Sequence, residues 1–138
     1  MKVRQKKAAK VLLAMLSIVI FLHLLIILKI VPYAIAWGGR LQNDEQMYMF
    51  ETVSILINLI LICILLIKGR YVRLQFNKKI LNLVLWIFFM LFILNTVGNL
   101  FAQSNFEKLF AVVTLTLAIL IWIILRPAHS KEYNERLA

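Results

Sequence analysis

Residues 80–102 read ILNLVLWIFFMLFILNTVGNLFA, a run of 23 positions without one charged side chain. A helix needs about 20 apolar residues to cross the hydrocarbon core of a bilayer. Three further stretches meet or approach that length: Val11–Val31, Met47–Ile67 and Leu109–Leu125, the last at the lower edge of the range. The chain has 138 residues, 63% of them hydrophobic and 16% charged. A soluble domain typically carries about 45–50% apolar and about 25% charged residues, and could not bury this excess. The expected fold is all-α: a membrane-embedded antiparallel four-helix bundle. The four spans form one domain over residues 1–138, since no repeat or Pro/Gly/Ser-rich linker divides them.

Local signals mark the helix ends. Pro32 disfavours helix at Val31, so the first helix should stop or kink there. Gly38-Gly39 permits a sharp turn. Asn43 is a suitable N-cap for the second helix, with Asp44 and Glu45 at its positive end. Ser104 and Glu107 have the spacing of a capping box for the fourth, and Pro127 marks its exit.

The net charge of +10 is unevenly placed. Lys2, Arg4, Lys6, Lys7 and Lys10 precede the first span; Lys68, Arg70, Arg73, Lys78 and Lys79 lie between the second and third; Arg126, Lys131 and Arg136 follow the fourth. Only Lys29, Arg40 and Lys108 fall on the other side. By the positive-inside rule both termini are cytoplasmic, in the plasma (inner) membrane. Such clusters face anionic lipid head groups; the interleaved aromatics or folded module of a nucleic-acid reader are missing from the sequence. A basic start, an apolar stretch and Ala34-Ile35-Ala36 also outline a cleavable signal peptide. The run is about 21 residues, however, and a signal core is about 7–15, so an uncleaved span is expected. Tyr33, Trp37 and Tyr48 at one interface and Tyr71, Trp86 and Trp122 towards the other fit aromatic belts.

The polar residues within the spans are the candidate site. Glu51, Ser54 and Asn58 share one face of the second helix, and Asn95, Asn99 and Gln103 one face of the third. His23 and Lys29 lie on the first, and Arg40 sits above. At about 1.5 Å per residue, most of this polarity converges on the outward half of the bundle. Two roles compete for it: hydrogen-bonded glue between helices, or an outward-open pocket for a head group, an ion or a proton. The asparagines alone favour glue. Glu51 favours function, because an acid inside a membrane is costly and needs a reason. Its candidate partners are Lys29, Arg40 and His23.

Several chemistries are excluded or lack their motifs. Cys63 is the single cysteine, so thiol–disulfide chemistry within the chain is excluded; within an apolar run it reads as a small buried hydrophobe. His23 and His129 fall on opposite sides, no metal-ligand spacing occurs, and neither a GxSxG elbow nor a phosphate loop is present. No metal or cofactor is expected.

The stretch Trp37-Gly38-Gly39-Arg40-Leu41, followed by Glu45, Met47-Tyr48 and Phe50-Glu51, resembles the signature of a small uncharacterised family of bacterial four-helix membrane proteins. The resemblance implies an inner-membrane location and this topology, and it carries no activity. Small multidrug exporters share four helices and a buried acid, but theirs lies in the first helix. The motif spacing of the sterol-isomerase-like four-helix proteins is absent. The expected function is therefore a non-enzymatic membrane protein, an accessory or assembly subunit or a binder of lipid or a small molecule. An oligomeric proton-coupled exporter with Glu51 as coupling carboxylate is the first alternative. A membrane-embedded enzyme using Glu51 and His23 on a lipid-like substrate is the second.

Overall fold

A computed structural model describes residues 1–33, 41–102 and 105–126, with the side chains of 105–107 left out. It contains four α-helices, α1 (Val3–Ile27), α2 (Asp44–Lys68), α3 (Lys78–Leu100) and α4 (Asn105–Leu125), and no strand among the described residues. All four contain stretches long and apolar enough to cross a membrane. Helices suit that setting because each satisfies its backbone hydrogen bonds internally.

Helix ends follow local chemistry, in two places differently from expectation. The first helix begins at Val3 rather than Val11, with Gln5 Oε1 accepting from the Lys2 backbone N–H at 2.9 Å. Lys6, Lys7 and Lys10 are thus on helical turns, not in a tail. It also ends at Ile27, before Pro32 can act. Lys29 adopts a left-handed φ of 57°, Ile30 N–H returns to the Leu25 carbonyl and Lys29 N–H to that of Ile26. This is a Schellman closure, which stops the helix without proline.

α2 closes the same way, through Arg70 at φ 59°, Tyr71 N–H to Leu66 and Arg70 N–H to Ile67. A Cβ at Gly69 would sit 2.5 Å from the Tyr71 ring and would have to displace it. Asn43 caps α2 as expected, accepting from Gln46 N–H at 2.9 Å, with Asp44 and Glu45 in the first turn. Asn77 caps α3 through Lys79 N–H. The Gly38-Gly39 turn, the Ala34–Ala36 motif, the Ser104–Glu107 capping box, Pro127 and His129 lie outside the described residues or side chains.

The helices pack in a ring, α1 on α2 and α4, and α3 on α4 most extensively; α2 and α3 touch least among neighbours. Gln5, at the start of α1, donates from Nε2 to the carbonyls of Ile124 (3.2 Å) and Arg126 (2.9 Å) at the end of α4.

The interior is divided into two halves. Ala8, Ala9, Leu12 and Leu16 of α1 pack with Leu61 and Leu65, with Leu85, Phe88 and Phe92, and with Leu117, Ala118, Ile121 and Ile124. This continuous apolar core fills the half that holds the start of α1 and the end of α4. Cys63 is exposed on the outside of α2 and takes no part in it, contrary to its expected burial. Apolar side chains can face outwards at no cost where the surroundings are hydrocarbon.

Candidate functional site

The other half of the bundle is hollow. A cavity of about 330 Å³ is bounded by all four helices, with Phe92 and Leu117 of the apolar core among its walls. Its polar lining is His23 from α1, Ser54 and Asn58 from α2, Asn95 and Asn99 from α3, and Thr114 from α4. Val19, Leu22, Ile57 and Phe110 supply apolar wall. Spacings of three and four residues bring each set onto one helical face, as the sequence indicated for α2 and α3.

Behind His23 lies Glu51. The carboxylate Oε2 is 2.5 Å from His23 Nδ1, and Glu51 is fully buried at 0% exposure. His23 retains 18% side-chain exposure. Hence the acid is enclosed and the imidazole is its contact with the cavity. With Nδ1 engaged by the carboxylate, Nε2 is the ring nitrogen left to meet a ligand. Neutral imidazole offers an acceptor there, and imidazolium a donor.

Asn58, Asn95 and Asn99 make no hydrogen bond between helices among the described residues. Asn58 is buried at 8% exposure, and its Nδ2 donates to the Ser54 carbonyl (2.8 Å), one turn back on its own helix. Its Oδ1 meets no donor among the described residues. Asn95 and Asn99 side chains make no hydrogen bond among those residues either, and Asn95 is exposed although it lines the cavity. The cavity therefore reaches the bundle surface beside Asn95 on α3, on the side where neighbouring helices touch least, between α2 and α3.

The hydrogen bond between α3 and α4 comes instead from threonines overlooked in the sequence. Thr96 Oγ1 lies 2.9 Å from Thr114 Oγ1, joining α3 to α4, and the two hydroxyls lie 2.8 and 2.9 Å from the Phe92 and Phe110 carbonyls of their own helices. Threonine hides in a hydropathy reading because such bonding one turn back lets it sit in an apolar run. The available signal was position: Thr96 follows Asn95, and Thr114 is its counterpart at similar depth.

Of the expected site residues, His23, Ser54, Asn58, Asn95 and Asn99 come together around the cavity, with Glu51 directly behind. Lys29 does not join them. It pairs with Asp44 at the surface and lies 5.8 Å from the centre of the Tyr48 ring. The hydrogen bond to the Asp44 carboxylate raises the Lys29 pKa. Lys29 is therefore neither a lone anchor nor the partner of Glu51. Arg40 and Gln103 lie outside the described residues. No group of three or more His, Cys, Asp or Glu side chains comes together among the described residues.

Comparison with known proteins gives no match, either to a protein-family model, to a curated protein or to a solved structure.

Proposed function

We propose that this protein is a non-enzymatic membrane binder of a small amphipathic molecule, whose polar head enters the hollow half of the bundle. In this reading the helices run antiparallel in the plasma membrane of a bacterium, both termini are cytoplasmic, and the cavity lies in the outward half. The distribution of lysine and arginine supports the orientation. The resemblance of the Trp37–Glu51 stretch supports the bacterial setting.

The observation that carries the proposal is the pairing of open hydrogen-bonding capacity with enclosure. A buried amide oxygen at Asn58, the Asn95 and Asn99 amides and the Ser54 hydroxyl surround a space bounded by all four helices. Polar groups in an apolar setting cost free energy when unpaired, so a ligand offering hydroxyls or amides gains where helix packing gained nothing. The volume lies at the small end of ligand sites, which suits a head group with its apolar remainder projecting past Asn95.

The test is native mass spectrometry of the full chain taken from its membrane, followed by identification of the small molecules that copurify. Asn58→Leu and Ser54→Leu, which fill the cavity, should each lower the bound fraction at least roughly tenfold. Equal occupancy in both variants and the parent would sink the proposal.

The His23–Glu51 contact favours a second reading, an exporter of oligomeric form in which Glu51 exchanges a proton for substrate. Its mark would be pH-gradient-driven transport in proteoliposomes that Glu51→Gln abolishes. A strictly monomeric protein in mild detergent would count heavily against it. The same pair satisfies the proximity needed for acid–base work on a lipid-like substrate, the enzyme reading.

A further inference from the structure

At the opposite end of the bundle from the polar cavity, the start of α1, the end of α2, the start of α3 and the end of α4 surround an open cleft of about 940 Å³. Among the described residues, five cations line it, Lys68, Arg70, Arg73, Lys78 and Arg126, and no acidic side chain does. We propose that this cleft is a binding site for the phosphate-bearing head group of an anionic phospholipid.

Three observations carry the assignment. Like charges gathered around one concavity repel, and the focused positive potential is relieved by an anion. Two of the cations also have their charged ends held in place. Lys68 Nζ bonds Asn82 Oδ1, and the Arg126 guanidinium stacks 3.6 Å from the centre of the Trp122 ring, while the Schellman closure of α2 sets the backbone from which Arg70 projects. Planar guanidinium donors match phosphate oxygens bidentately.

The third observation selects a lipid over a soluble phosphate. The segment between α2 and α3 alternates cation or amide with exposed apolar side chains: Val72, Leu74 and Phe76 are 42%, 57% and 56% exposed, around Arg73 and Gln75. Apolar groups presented beside cations suit the boundary where acyl chains meet head groups. The site is separate from the polar cavity and does not depend on what that cavity binds.

The test uses the full chain with Trp37→Phe and Trp86→Phe, leaving Trp122 under Arg126 as the reporter, reconstituted into phosphatidylcholine vesicles containing a minor fraction of brominated lipid. Brominated phosphatidylglycerol should quench Trp122 with an apparent affinity roughly fivefold or more above brominated phosphatidylcholine. Lys68→Gln/Arg70→Gln/Arg73→Gln should abolish that preference, while Lys6→Gln/Lys7→Gln, which removes nearby charge outside the cleft, should retain most of it. Equal quenching by the two lipids in the parent overturns the proposal, whatever the variants do. Equal loss in both variants overturns it too, since that is diffuse attraction to a charged surface. Inorganic phosphate at millimolar concentration serves as the competitor. An unchanged preference supports the lipid head group, and displacement would overturn the lipid in favour of a soluble phosphate compound in the same cleft.

Discussion

The two halves of this bundle are built from the same four helices but solve the packing problem in opposite ways. In one, leucine, isoleucine, alanine and phenylalanine from every helix close a continuous core. In the other, amides, hydroxyls and an imidazole face a cavity, and a fully buried carboxylate stands behind them. Lipid tails are as apolar as leucine, so helices in a membrane are held by packing and polar contacts rather than by expulsion from water. The apolar half therefore supplies close contact, and the hollow half is free to carry chemistry.

The largest effect should come from breaking the buried pair unevenly. His23→Leu leaves Glu51 enclosed without its imidazole, at a cost of roughly 3–5 kcal/mol near neutral pH. His23→Leu/Glu51→Leu should recover most of the stability in the same reversible unfolding assay in mixed micelles. A double variant no better than the single would mean that the pair organises the hollow half rather than merely neutralising itself.

Truncation comes next and separates the halves directly. Leu16→Ala opens a hole in the packed half. The transfer term is small in an apolar solvent, but a residual void of ~80 Å³ still costs about 2 kcal/mol at ~24 cal/mol per Å³. Ser54→Leu instead adds volume where space already exists and should change stability by less than about 1 kcal/mol. Similar losses from both would erase the distinction between a tight half and a hollow one.

Smaller still is the bond between α3 and α4. Thr96→Val should cost about 0.6 kcal/mol, the average for interhelical hydrogen bonds in membranes. The least effect is expected from Lys29→Gln. Its partner Asp44 is exposed, so the change in thermal midpoint should be near the detection limit and vanish at high salt.

Much of this architecture was legible in the sequence. Uninterrupted hydropathy gave the four helices, i, i+4 spacing put Ser54 with Asn58 and Asn95 with Asn99, and helical depth placed His23 at their level. The choice among three partners for Glu51 was not legible. Helical depth places His23, Lys29 and Arg40 all near it; rotation about the α1 axis selects His23 over Lys29, and Arg40 lies outside the described residues. The end of α1 was misread for a related reason. Pro32 is a visible stop signal, whereas the left-handed turn at Lys29 has no glycine to announce it. The asparagines were expected to bridge helices, but among the described residues Asn58 bonds only one turn back on its own helix, and threonines join α3 to α4. Hydropathy likewise cannot tell a residue facing the core from one facing lipid, which is why Cys63 was placed inside.

That last position has a practical consequence. Between copies of this chain, a lone thiol on the outer face of α2 can form a disulfide only with the same residue of the other copy, and only if their Cα atoms come within about 7 Å. Oxidative crosslinking of the unmodified protein in its native membrane is thus a ruler with one mark. A covalent dimer would report α2 meeting α2 across a twofold axis at the level of residue 63, with no engineered label required.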